Sequence, residues 1–304
     1  MTRISLWKSA ALGAAIWFVP GAFAATDVPV SIITTLKAQN NAPPPNVTQA
    51  DVLVSQNKRR MQVTGFSPLR DQGGLQLWIL IDDGSAGSLG SQLADVREFV
   101  RQQPSTTQIG IGYMRNGSVA VVQPLTADHE LAAKSMRLPI GVPGISASPY
   151  LALIELIHKW PATAEAREVL MVSSGIDPDY GSGPDNPYLS RSIDTAQRAG
   201  VVVYSIYFPT AGRFGRGYGR INWGQNYLAQ LSEETGGEFY WEGSHAPVSL
   251  APYLESMNRR LNEQYLLTFL AEPENKAGFQ TIKLATEVPH VGLAGPRKVY
   301  VSGK

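Results

Sequence analysis

The chain has 304 residues, 43% hydrophobic and 17% charged, a length that suggests about two domains and a composition that can bury a sizeable core. Its 26 Lys and Arg nearly cancel 25 Asp and Glu, so bulk charge does not drive it to nucleic acid. The absence of cysteine excludes disulfides, thiolate metal centres, iron–sulfur clusters and cysteine nucleophiles, and the four histidines (129, 158, 245 and 290) lie far apart in sequence.

Arg3 and Lys8 give a positive start ahead of an apolar run over 10–19, which Pro20-Gly21 breaks before the small-x-small Ala22-Phe23-Ala24. That pattern predicts a secretory leader over 1–24, since the run is far shorter than the roughly 20 residues that span a bilayer. The mature chain is then expected to be exported, periplasmic or secreted, with no membrane span. Residues 25–72 form a β-rich segment, with strands in 25–35 and 51–66 and a proline-rich linker over 38–46. Asn57-Lys58 is a candidate turn.

Residues 73–263 alternate strands and helices. The run 75–81 (LQLWILI) fits a strand buried on both faces, and 91–103 carries apolar residues at the spacing of one helix face. Strands over 108–114 and 118–123 flank Asn116-Gly117, the dipeptide of a tight hairpin, so one antiparallel strand is expected at a sheet edge. Helices follow over 150–160, 190–199, 225–235 and 250–262, and strands over 168–173, 201–208 and 238–241. Gly212 to Gly219 reads as a surface loop whose Arg213 and Arg216 suit partner contact. Trp78, Trp160, Trp223 and Trp241 read as core or partly buried aromatics. The fold class is α/β, a doubly wound, mostly parallel sheet of Rossmann-like type, with a small β-rich extension contributed by both ends. After residue 263 only strands are expected (265–270, 279–285, 298–301), pairing with the N-terminal ones into a satellite sheet.

In such a sheet ligands bind beyond the carboxyl ends of the strands. Three loops converge there: Asp82, Asp83, Ser85 and Ser88; Ser146 and Ser148; Ser173, Ser174 and Asp177. Over 75–262 the chain resembles the von Willebrand factor A domain family, through WILIDDGSAGSLGSQL, GVVVYSIYFPTAG, GQNYLAQLSEETGGEFYW and RRLNEQYLLTFLAEP. The tail extends the likeness to related exported proteins abundant in Acidobacteria. The resemblance implies a module that binds other macromolecules, often through a magnesium site of the form Asp-x-Ser-x-Ser, a threonine on the second loop and an aspartate on the third.

This chain departs from that pattern. From Asp82 the third and fifth residues are Gly84 and Ala86; from Asp83 they are Ser85 and Gly87. The second loop has no threonine, and the third reads Ser173-Ser174-Gly175. A degenerate metal site is expected, its aspartates and serines capping the next helix or closing Asx turns. No cofactor is implied, and the surface that meets a protein partner is expected to comprise Asp82, Asp83, Ser85, Ser88, Ser146, Ser148, Ser173, Ser174, Asp177, Arg213 and Arg216. Two alternatives stand beside this non-enzymatic reading. One is a site for Mg²⁺ or Ca²⁺ drawing on Asp82, Asp83, Ser85, Ser146, Ser148 and Ser174. The other is a serine hydrolase using Ser146 with His129 or His245. Asp177, Asp179 and Asp185 share one acidic turn, solvated unless it takes Ca²⁺. Partner identity and oligomeric state are left open.

Overall fold

The computed structural model describes residues 27–38, 45–69, 74–142, 147–161, 166–180, 182–211 and 217–304. The expected leader, residues 39–44 of the linker, Ser146, Arg213 and Arg216 lie outside the described residues. Four strands come first: β1 (Val28–Ala38), β2 (Val52–Gln56), β3 (Arg59–Met61) and β4 (Val63–Pro68). Asn57 and Lys58 take φ of 50° and 68°, the left-handed pair that a two-residue hairpin between β2 and β3 requires.

The central unit runs β5 (Leu75–Asp82), α1 (Leu89–Arg101), β6 (Gln108–Arg115), β7 (Ser118–Thr126), α2 (His129–Ser135), α3 (Pro149–Lys159), β8 (Ala166–Ser173), α4 (Pro187–Ala199), β9 (Val201–Tyr207), α5 (Tyr218–Thr235), β10 (Phe239–Tyr240) and α6 (Ala251–Asn262). Its six strands lie in the order β10-β9-β8-β5-β6-β7, parallel except for the edge strand β7, which the Asn116-Gly117 hairpin turns back. From β5 the chain winds outward through β6 and β7, then returns and winds the other way, so the sheet is doubly wound. The apolar run of β5 needs no polar alternation because both faces are covered. Leu77, Ile79 and Ile81 enter the core beneath α1, α2 and α6; Trp78 and Leu80 enter the core beneath α3, α4 and α5.

Three elements differ from expectation. Seven residues of α2 form behind Asp128, whose carboxylate accepts the Leu131 N–H at 2.9 Å. Helix α4 begins at Pro187, not residue 190, because the Asn186 side chain accepts the N–H groups of Tyr188 and Leu189. Helix α5 begins at Tyr218, so residues 218–224, read as loop for their glycines, form its first turns. It ends at Thr235-Gly236-Gly237. There the Thr235 hydroxyl donates to the Leu231 carbonyl at 2.8 Å and accepts the Val203 N–H at 3.1 Å, fastening α5 to β9. Among the described residues no helix is long and apolar enough to cross a membrane.

The remaining strands are β11 (Gln264–Ala271), β12 (Gly278–Thr286), β13 (Val291–Ala294) and β14 (Lys298–Val301). They do not join the N-terminal strands in one satellite sheet but in two, β13-β1-β11-β4 and β14-β12-β2-β3. The reason lies in β1, which is buried on both faces over residues 32–36. Ile33 joins the core of the central unit, whereas Ile32 and Leu36 meet Val54, Leu267, Phe269 and Ile282 in a separate core. A single sheet would leave one of these faces wet.

Glu168, near the amino end of β8, is fully buried where the two units meet. Gln264 Nε2 donates to Glu168 Oε1 and, at 3.1 Å, to Tyr204 Oη, while Glu168 Oε2 has no hydrogen-bond partner. Burial pushes the Glu168 carboxyl up to about 8, opposed by the Gln264 hydrogen bond and the Arg260 charge. A carboxyl whose folded pKa exceeds its unfolded value favours folding while protonated. Its contribution is whole below the unfolded value of 4.5 and is lost as pH rises toward about 8. Urea unfolding at about pH 5 and about pH 8 should show Glu168→Gln losing less stability with rising pH than the parent, by on the order of a few kcal/mol.

Candidate functional site

The carboxyl ends of β5 and β8 lie side by side where the winding reverses, the place at which an open α/β sheet leaves a crevice. Asp82 ends β5 and Ser173 ends β8. The Ser173 hydroxyl donates to Asp82 Oδ2 at 3.0 Å, and the Gly84 N–H donates to Oδ1 at 2.8 Å. Burial pushes the Asp82 carboxyl up to about 6, against those two hydrogen bonds and with a further push from Asp83. The tip of β5 is also laced to the chain after β9: Thr210 Oγ1 donates to the Gly84 carbonyl at 2.8 Å, and the Ala86 N–H to the Pro209 carbonyl at 3.0 Å.

Asp83 points elsewhere. Arg137 clasps it bidentately, Nη1 to Oδ1 at 2.7 Å and Nη2 to Oδ2 at 2.9 Å. The Ile140 N–H adds a third donor at 3.2 Å, and the Gly141 N–H reaches the Asp83 carbonyl at 2.9 Å. The guanidinium sits 3.8 Å above the Tyr113 ring, and the Tyr113 hydroxyl accepts the Arg137 N–H at 2.8 Å. Segment 137–142 is thereby tied down along its backbone while its apolar side chains face out. Leu138, Ile140 and Val142 are 59%, 49% and 53% exposed, with Pro139 buried between the first two.

The third carboxylate, Asp177, is bound from four sides. Ser148 Oγ and Asn186 Nδ2 donate to Oδ2 at 2.8 and 3.2 Å; the N–H groups of Asp179 and Tyr180 donate to Oδ1 at 3.1 and 3.4 Å. Ser148 is also the N-cap of α3. The adjoining loop rests on α5 through two glycines: a Cβ on Gly175 would lie 2.2 Å from the Gly224 carbonyl oxygen, and one on Gly224 would lie 2.4 Å from that of Ser174. This contact is why a glycine sits inside α5.

Of the residues expected on the contact face, Asp82, Asp83, Ser85, Ser148, Ser173, Ser174 and Asp177 are brought together but buried, and Ser88 alone among those described is exposed. Helix α1 is not capped by a side chain at Ser88; Asp82 instead closes an Asx turn onto Gly84. The acidic turn is not solvated at Asp177, whose oxygens are all engaged. Ser174 Oγ accepts the Ile176 N–H at 3.3 Å, and Ser85 Oγ is buried without a partner. The His129 ring bonds the Thr107 carbonyl at 2.8 Å at the amino end of β6, and His245 is exposed. Sequence reasoning missed Arg137 and the 138–142 segment. The available signal was the alternation Leu-Pro-Ile-Gly-Val after Arg137, which suits extended backbone and no helix.

No family profile and no curated protein matches the chain. Solved structures do. Those it resembles include von Willebrand factor A domains. An aerotolerance-related membrane protein from Bacteroides fragilis is 14% identical with a TM-score of 0.46, over 62% of this chain and 99% of that one. BatB from Bacteroides thetaiotaomicron is 11% identical with a TM-score of 0.45, over 62% and 97%. A von Willebrand factor type A protein from Catenulispora acidiphila is 11% identical with a TM-score of 0.43, over 93% and 75%. The likeness is one of fold.

Removing Arg137 would strand a buried carboxylate. Arg137→Ala is expected to cost roughly 2–3 kcal/mol, below the usual cost of breaking a buried pair because the guanidinium is partly exposed. Denaturant unfolding measures that loss, and amide exchange should speed up over 138–142. Asp83→Asn should cost less, and the two changes together should cost less than their sum.

Proposed function

We propose that this chain is an exported, non-enzymatic protein-binding module of the von Willebrand factor A type, which holds its partner through segment 138–142 and needs no divalent cation. The observation that carries this reading is the display of Leu138, Ile140 and Val142 on backbone anchored to buried Asp83. Apolar side chains held out on fixed backbone can be buried by a partner with little loss of chain entropy. Export rests on the leader-like residues 1–24, and the closer kinship with exported Acidobacteria proteins rests on the motifs quoted above.

The donor set supports independence from metal. Mg²⁺ takes six oxygens in near-octahedral array and draws on carboxylates for charge. Arg137 already neutralises Asp83, and Asp177 is saturated by Ser148, Asn186 and two backbone N–H groups. Asp82 is then the one strand-end carboxylate, among the described residues, with capacity to ligate. These residues fit a divalent cation poorly. The metal-dependent alternative has one observation in its favour, the unpartnered Ser85 hydroxyl three positions after Asp82.

Affinity capture from the native envelope fraction, with and without chelator, tests the proposal. The same partner should be recovered in both arms, and Leu138→Ser with Ile140→Ser should cut recovery about tenfold while leaving the thermal midpoint in place. Millimolar Mg²⁺, Mn²⁺ or Ca²⁺ should not move that midpoint; a cation present at about 100 times its Kd would add about 2.7 kcal/mol. Recovery lost in chelator, together with a midpoint raised by Mg²⁺, would hand the function to the metal reading.

A further inference from the structure

A groove of about 1050 Å³ runs between α5, β10 and the strands β12 and β13, and includes none of the strand-end residues described above. It is at the upper end of ligand-site volumes, which run to about 1,000 Å³. Its wall carries Trp241, expected as a core or partly buried aromatic but 54% exposed, because it follows β10 at the open edge of the central sheet. The turn after Trp241 is pinned to α5 by Gln225 Nε2, which donates to the Gly243 carbonyl at 2.9 Å. Asn222 and Asn226, one helical turn apart on α5, face the same groove with exposed side chains. Each offers two N–H donors and an acceptor oxygen.

The charges lining the groove are mostly cancelled from within. Lys37 lies 3.4 Å from Glu238, which Arg260 also holds at 2.7 Å, and Arg297 pairs with Glu233 at 2.9 Å. An anionic polymer would find few free cations there, and an apolar ligand would strand the amides. A ring with an apolar face and hydroxyls around its rim satisfies both features, its face against the indole and its rim on the amides. We propose that this groove binds a neutral saccharide chain, with Trp241 as stacking platform and Asn222 and Asn226 as hydrogen-bonding partners. The proposal goes beyond the protein-binding reading and stands on a separate surface.

The test is titration of the full chain with tetra-N-acetylchitotetraose and with a panel of soluble neutral oligosaccharides, followed by tryptophan fluorescence and calorimetry. Saturable binding is expected for at least one member. Trp241→Ala and the pair Asn222→Ala with Asn226→Ala should each weaken it about tenfold or more at unchanged thermal midpoint, and Trp241→Phe should keep part of it. Leu138→Ser with Ile140→Ser should leave saccharide binding intact, which separates this site from the partner surface. The proposal is overturned if no saccharide in the panel binds at millimolar concentration, if binding survives Trp241→Ala, or if the groove instead takes an extended peptide along the open edge of β10.

Discussion

Asp83 is an almost fully buried carboxylate, and the guanidinium of Arg137 is the charge that makes its burial tolerable. Ions taken out of water cost several kcal/mol each, and only a well-formed pair with further donors recovers that cost. Here the further donor is the backbone N–H of Ile140, and the guanidinium itself is held in place by its stack on Tyr113. One interaction therefore joins the tip of β5, the face of β6 and the segment after α2. Its partners are 54 positions apart, so the pair forms only once the sheet has assembled. The crevice at the switch point is thus filled by side chains already bound to one another. What the fold presents at this end is apolar surface beside a closed polar network.

The second unit leaves that end free. The pair of sheets built from both ends of the chain meets the central sheet at the amino ends of its strands, through Gln264 against Glu168 and through Ile33 in the shared core. Its docking does not cover the strand-end loops. The polar join at Glu168 is less well satisfied than the network at Asp83: one carboxylate oxygen, two guanidinium nitrogens of Arg260 and the Gln264 carbonyl oxygen are buried without partners. Each buried polar atom left in that state costs free energy that the paired atoms of the Asp83 network do not.

Strands β5, β8 and β9 were legible in the sequence because burial on both faces leaves a nearly continuous apolar run. The β6–β7 hairpin was legible because Asn116-Gly117 supplies two positive φ angles, 53° and 66°. Helix α2 was not, being two turns long with an apolar face of few residues. The first turns of α5 were hidden by Gly219 and Gly224, and the second of these answers to packing against Gly175 and not to local propensity. Strand β13 was missed because Val-Gly-Leu-Ala is too short and too glycine-weakened to carry a period. The site was half legible. Its loops could be placed from the strand ends, but whether each carboxylate was free or engaged depends on Arg137, Ser148 and Asn186, none of them adjacent to it in sequence.

Strand β1 pairs along its length with β11, from Val28 opposite Ala271 to Thr35 opposite Gln264. An N-terminal strand with such a distant mate emerges early and waits. Until residues 264–294 arrive, its apolar Val28, Val30, Ile32 and Leu36 face and both of its hydrogen-bonding edges lack their mates, the kind of segment that recruits wrong partners. Closure of so long a loop is slow relative to local helix formation. The chain therefore has a built-in delay between the synthesis of this strand and its burial between β11 and β13.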